Sequence, residues 1–279
     1  MNKVTLNNGV EMPQMGYGVY QVSPAECERC VADALSVGYR MIDTAQAYHN
    51  EEGVGNAVRK SGIDRKEVFL VSKVWISNYG YERAKASIDE SLRRLQTDYI
   101  DLMLLHQPFC DRYGAYRALE EAYKEGKLRA IGVSNFYSDH FIDIASNMEI
   151  VPAVNQVETH VFDQQIGPQH IMEEFGTRIM SWAPFAEGRN SFFTNPILAE
   201  IGHKYGKSVA QVALRWLIQR GVIIIPKSTH IERMKQNIDI FDFTLSNEDM
   251  STIATLDTGR SLFFDHHDAE TARMFMGWR

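Results

Sequence analysis

The strongest constraint on this chain is a rhythm. Short apolar runs of strand character recur along almost its whole length, at 16–20 (GYGVY), 39–45 (YRMIDTA), 68–74 (VFLVSKV), 99–106 (YIDLMLLH), 128–135 (LRAIGVSN), 152–158 (PAVNQVE), 178–184 (RIMSWAP) and 222–228 (VIIIPKS). Between them lie stretches with the apolar spacing of amphipathic helices, near 24–37, 50–61, 79–95, 113–125, 138–146, 164–175 and 207–220, with one more at 231–238. Strands alternating with helices imply parallel pairing through right-handed crossovers. Eight such units within 279 residues predict an α/β fold of the closed (β/α)8, or TIM, barrel type, with 1–279 forming a single domain. A doubly wound sheet is the alternative. It usually has about five or six strands and, for nucleotides, a Gly-rich first turn. Neither G-x-G-x-x-G nor a P-loop occurs here.

Two segments frame the repeat. KVTLNNGVEMP (3–13) carries an Asn-Gly pair between alternating residues, which predicts an N-terminal β-hairpin able to plug the barrel floor. Residues 190–206 interrupt the repeat before the seventh helix. The tail beyond 245–259 reads as a short C-terminal loop over the pocket, containing LFFDHHD and ending in MFMGWR. The first helix has start signals in Ser23 as N-cap, Pro24 as first residue and Glu26 as capping-box partner; Asn50 is the expected N-cap of the second.

Composition narrows the function classes. With 29 Lys and Arg against 36 Asp and Glu, the formal charge is −7, a poor match for nucleic acid or an anionic membrane. No apolar run is long enough to span a bilayer, and the polar start MNKVTLNNGVEMP has no signal-peptide pattern, so the expectation is a cytoplasmic protein. No exposed amphipathic seam stands out, and a monomer is expected. Cys27 and Cys30 form a C-x-x-C, but inside a predicted helix, a turn past its start and without a second pair; redox or zinc chemistry is not expected.

In a (β/α)8 barrel the active site lies at the carboxyl ends of the strands. Polar residues gather there: Asp43, Lys73, His106, Ser134 with Asn135, Gln156 with Glu158, Trp182, and Lys227 with Ser228. Singly, each has a bland explanation: a solvated lysine, a structural histidine, an Asx-turn at Asp43-Thr44, a packed Tyr48. Together they describe chemistry. Asp43 and Lys73 end neighbouring strands and can form a buried ion pair, a cation near Tyr48 would lower its pKa, and His106 could orient a carbonyl oxygen against the Tyr48 hydroxyl. That set is a general acid for a polarised carbonyl.

MIDTAQAYHNEEGVG, VSKVW, DLMLLHQP, GVSNF, NQVE and IPKS with a later Arg, in this order from about Gly16 to Asn237, resemble the aldo-keto reductase family. The resemblance implies an NADPH-dependent oxidoreductase of the alcohol dehydrogenase (NADP+) type that reduces aldehydes, ketones or sugar-like carbonyls. The cofactor would lie extended across the strand ends, so no Rossmann fingerprint is needed. The family's catalytic tetrad falls on Asp43, Tyr48, Lys73 and His106, with Tyr48 as proton donor, Lys73 held by Asp43, and His106 orienting the substrate. Ser134, Asn135 and Gln156 match the residues that hold the nicotinamide carboxamide. Trp182 matches the aromatic that stacks on the ring, where many members have Tyr. Gly18, Val19 and Tyr20 match the first βα loop. Ala183, Pro184 and Phe185 begin the loop over the pyrophosphate. Lys227, Ser228 and Arg233 match the 2′-phosphate clamp, and Gln236 and Asn237 lie near the expected adenine site. Gln236 replaces an acid common in the family.

The expected substrate pocket is Tyr20, Tyr48, His49, Trp75, His106 and Gln107, with Phe264 or its neighbours reaching in from the tail. Gln107 departs from the tryptophan that often follows the family's catalytic histidine, which predicts a more polar or wider pocket. His266 and His267 lack a third ligand at metal-binding spacing, so no metal is expected. Two other functions carry specific tests. A Schiff-base lyase would use Lys73 as nucleophile, which pairing with Asp43 opposes by keeping the amine protonated. A non-catalytic, NADPH-binding regulator would not need the complete tetrad.

Overall fold

Barrel strands pair across only part of each apolar run, so the observed strands are shorter than the runs that encode them. The computed structural model describes residues 2–279. In chain order the elements are β1 (Lys3–Thr5), β2 (Glu11–Pro13), β3 (Tyr17–Gly18), α1 (Pro24–Val37), β4 (Met41–Asp43), α2 (Glu51–Lys60), β5 (Phe69–Val74), α3 (Tyr81–Leu95), β6 (Leu102–Leu105), α4 (Arg112–Lys124), β7 (Ile131–Ser134), α5 (Ser138–Asn147), β8 (Val154–Glu158), α6 (Ile166–Glu174), β9 (Arg178–Trp182), α7 (Pro196–Tyr205), α8 (Val209–Gln219), β10 (Ile223–Ile224), α9 (Ile231–Ile238), α10 (Asn247–Ala254) and α11 (Ala269–Met276).

Strands β3 to β10 form one eight-stranded sheet in sequence order, every neighbouring pair parallel. The sheet closes where Met15 pairs in parallel with Ile224, through Gly16 N to Ile224 O at 2.8 Å and Ile224 N to Gln14 O at 3.0 Å. This is the (β/α)8 barrel. Two apolar layers hold it. The strand faces turned outward pack against the helix ring, whereas Met41, Phe69, Val71, Leu102, Leu104, Met180 and Ile223 form a second core. Leu6 and Met12 of the β1–β2 hairpin join that second core, so the hairpin plugs the barrel as the Asn-Gly signal implied.

Local structure departs from expectation in four places. Ser23 occupies the N-cap of α1, but its hydroxyl bonds the Glu26 carboxylate at 3.1 Å rather than a backbone amide, so the capping box does not form. Asn50 sits at the N-cap of α2 without capping it; its side chain joins Thr44 Oγ1 at 2.7 Å and the carbonyls of Val19 and Val22 at 3.0 and 3.1 Å. Within 190–206 lies α7, started by Asn195, whose side chain accepts from Leu198 N at 3.1 Å, and by Pro196. The tail is not only a loop: Asp268 caps α11 by accepting from Glu270 N and Thr271 N at 3.0 and 2.9 Å. Cys27 and Cys30 are free and buried in α1, and no group of metal-binding side chains is found among the described residues. No described helix is long and apolar enough to cross a membrane.

Candidate active site

The register of the barrel decides which side chains meet at its carboxyl rim. Asp43, the last residue of β4, lies beside Gly18 of β3, and Lys73 is carried on the adjoining β5. The Lys73 ammonium donates to Asp43 Oδ1 at 2.7 Å, Thr44 O at 2.9 Å and Tyr48 Oη at 3.4 Å, which uses all three of its protons. Lys73 is 0% exposed and Asp43 2%. Tyr48 ends a short 3-10 turn at Gln46–Tyr48 that lifts its ring to the rim, with the Lys73 ammonium 5.0 Å from the ring centre. His106, just past β6, lies edge-on to Tyr48 at 5.7 Å and to Trp75 at 5.0 Å.

The electrostatics run against one expectation. The Tyr48 phenol is held well above its ordinary 10, first by burial and then by the nearby Asp43 charge and Tyr20. Lys73 is expected to lower it; here burial outweighs the cation, because a phenolate gives up more solvation than the phenol when it leaves bulk water. Burial lowers the Lys73 ammonium from its ordinary value while Asp43 works against that shift. His106 is held well below 6.5 by burial and by Lys73, so it is a neutral imidazole near neutral pH, and its buried Nδ1 has no partner among the described residues.

The remaining rim residues form a connected polar network. Gln156 Nε2 donates to the second Asp43 oxygen at 2.9 Å. Ser134 Oγ donates to Gln156 O at 2.8 Å, and Asn135 Nδ2 to His106 O at 3.1 Å. Trp182 Nε1 donates to Asn135 Oδ1 at 2.9 Å. Asn135, at φ 63°, sits in the left-handed region that a short polar side chain tolerates.

A cavity of about 680 Å³ opens over this network. It is lined by Gly18, Tyr20, Asp43, Tyr48, Trp75, His106, Gln107, Ser134, Asn135, Gln156, Trp182, Ala183, Pro184, Phe185, Lys227 and Phe264 of the expected set. The structure does not bring every expected residue to its wall. Val19 is fully buried behind it and His49 points to solvent from a left-handed turn, so neither lines the cavity. Ser228 is buried in a turn, taking His230 N at 3.1 Å. Arg233 and Gln236 are exposed on α9 beyond the cavity, and Asn237 is buried on the same helix. Lys227, on the cavity wall, and Arg233, on α9, are exposed and make no ion pair among the described residues.

Sequence reasoning missed most of the wall contributed from outside the barrel. His266, Phe275 and Trp278 of the tail line the cavity, as do Arg189 and Phe193 of the segment after β9, beside the expected Phe264 neighbour Phe263 and Glu187 of the 183–188 loop. Trp278 lies 6.1 Å from Trp75, and His266 Nε2 meets Gln107 Oε1 at 3.0 Å. The aromatic density of 262–278 was the available signal; α11 places Phe275, and long-range contacts place Phe263 and Phe264.

The family model of the aldo/keto reductase family matches residues 12–258. A glyoxal reductase of Bacillus subtilis (strain 168) is 48% identical over 255 residues, covering 91% of this chain and 92% of its own. Among solved structures, an aldo-keto reductase from a Medee basin deep-sea metagenome library superposes with a TM-score of 0.93 at 41% identity, covering 95% of this chain and 99% of its own. A Bombyx mori aldo-keto reductase in complex with NADP gives 0.89 at 31% identity, covering 98% and 96%. The chain therefore belongs to the aldo/keto reductase family, oxidoreductases that act on carbonyl compounds.

Proposed function

We propose that this protein is an NADPH-dependent carbonyl reductase in which Tyr48 is the general acid. The observation that carries the reading is the buried Asp43–Lys73 pair, with the third Lys73 proton directed at Tyr48 Oη beside a neutral His106 in one cavity. Burying an ion pair is costly and is weak support for stability alone, so a role at the adjoining hydroxyl is the better account.

The residues present suit the cofactor. Two unpaired cations, Lys227 and Arg233, fit a dianionic phosphate, and guanidinium offers a planar fork of donors. Relatives with NADP or NADPH bound share the fold. Ser134, Asn135 and Gln156 would hold the nicotinamide carboxamide, Trp182 would flank the ring, and Ala183 to Phe185 would cover the pyrophosphate. When bound, NADPH supplies the hydride that reaches the carbonyl carbon. Tyr48, kept protonated by its surroundings, donates its proton to the carbonyl oxygen. His106 Nε2 orients that oxygen, and Lys73, fixed by Asp43 and Thr44 O, stabilises the negative charge developing on Tyr48 Oη. The aromatic walls at Tyr20, Trp75 and Phe264 suit small aldehydes and ketones. The amide of Gln107, oriented by His266, adds a polar wall suited to a substrate with a second oxygen.

The test is NADPH oxidation at 340 nm against aldehydes, diketones including glyoxal, sugars and ketosteroids, with NADH in parallel. Tyr48→Phe is expected to lower kcat at least about 100-fold while NADPH affinity stays within about twofold. A variant that keeps most of its activity removes Tyr48 from the mechanism.

A further inference from the structure

Glu158 ends β8 at the rim, is fully buried, and has no part in the reaction above. Its carboxylate accepts three hydrogen bonds: from Ser261 Oγ at 2.5 Å, from Leu262 N at 2.8 Å and from His160 Nε2 at 2.9 Å. The main chain sets the His160 tautomer. The amides of Phe162 and Asp163 donate to Nδ1 at 3.2 and 3.1 Å, which leaves the ring proton on Nε2, aimed at Glu158. Ser261 Oγ then accepts the amides of Phe263 and Phe264 at 3.0 and 2.9 Å. One carboxylate thus organises the chain that carries two aromatic cavity walls, while Glu158 itself does not line the cavity.

Two further contacts fasten the same stretch. Phe263 lies edge-on to Trp182 at 5.1 Å and under the Arg189 guanidinium at 4.0 Å, and Arg189 also donates to Leu262 O. Upstream, the amide and hydroxyl of Thr258 both donate to Phe162 O at 2.8 Å, and Asp257 accepts Gln164 N at 3.1 Å. The turn at 160–164 is therefore the dock for the tail. A buried carboxylate is tolerated only when its acceptor sites are filled, and here two of its three donors come from the tail.

We propose that Glu158 is a positioning residue for the substrate pocket: through Ser261 and Leu262 it latches the 261–264 segment so that Phe263 and Phe264 wall the cavity faced by Tyr48. The latch selects substrates by size. An aromatic aldehyde reaches the tail wall and depends on it; a compact dicarbonyl such as glyoxal, held beside Tyr48 and His106, does not. This selectivity rests on the carbonyl-reductase reading, but the docking of the tail does not.

Two measurements on the full chain separate these points. In Glu158→Gln and in Ser261→Ala, hydrogen exchange at the Leu262, Phe263 and Phe264 amides is expected to speed up about tenfold or more, and trypsin is expected to cut faster after Arg260. With NADPH, kcat/KM for 4-nitrobenzaldehyde should fall about tenfold through KM, while glyoxal turnover and NADPH Kd stay within about twofold. The double variant should lose no more than Glu158→Gln alone, because both changes break one contact. Unchanged exchange in both variants overturns the latch, as does an equal loss on both substrates. If Glu158→Gln does not fold, Ser261→Ala decides by the same readouts. If the native protein reduces no carbonyl, the functional reading fails and the exchange result still decides the latch.

Discussion

At the scale of single residues, chemistry here depends on which side chains have their charges spent. Lys73 has three acceptors and no freedom, whereas Lys227 and Arg233 have no ionic partner among the described residues. Replacing Arg233 with Ala is expected to raise the NADPH Kd about 10- to 100-fold and to move the NADH Kd by less than about twofold, measured by fluorescence titration, because only NADPH carries the 2′-phosphate. Equal weakening for both cofactors would remove Arg233 from the clamp. The same scale explains why the Tyr48 shift runs opposite to the expected one. A motif reports that a cation is near, but not how deeply the phenol is buried, and burial of the phenol outweighs the ammonium. His49 fails for a related reason: adjacency to Tyr48 in sequence says nothing of the left-handed turn, φ 55°, that sends it to solvent.

At the scale of elements, helix starts were readable and partly unread. Asn195-Pro196 before α7 and the Ser246/Asp249 capping box of α10 are ordinary signals. The interior of α2 shows what such signals omit. Gly55 is a poor helix former, yet a Cβ there would stand 2.6 Å from Leu95 O and 2.8 Å from Arg94 O at the end of α3. Gly55→Ala is therefore expected to destabilise by about 1–3 kcal/mol in urea unfolding, although helix propensity alone predicts a gain of about 1 kcal/mol. A more stable variant would show that the two helices can separate at no cost.

At the scale of the whole molecule, two buried groups give stability opposite pH dependences. Burial holds His266 down at about 4, so stability falls as pH drops from its ordinary 6.5 toward that value, where the unfolded chain takes a proton that the folded chain refuses. Burial and Glu158 push Asp163 up to about 6 from 3.8. Its folded form favours the proton, so stability is highest below 3.8 and is lost as pH rises through about 6, where the carboxylate must be buried charged. Asp163→Asn removes that cost. Its advantage over the native protein is expected to grow by about 2 kcal/mol between pH 4.5 and pH 8, read from denaturant midpoints at both pH values. A pH-independent difference would place Asp163 in a setting that does not favour its proton.

The sequence by itself determined the barrel and the rim. Eight alternating units leave few ways to bury continuous apolar runs, and the parallel pairing they impose puts Asp43, Lys73, His106, Gln156 and Trp182 at one end of one sheet. Hydrophobic patterning is a local property, so it is legible locally. Tertiary structure alone decided how deeply the site is buried, that burial favours the protonated Tyr48 phenol, and what closes the cavity. Those depend on contacts between segments far apart in the chain, such as Glu158 with Ser261 and Gln107 with His266, whose geometry no local spacing specifies.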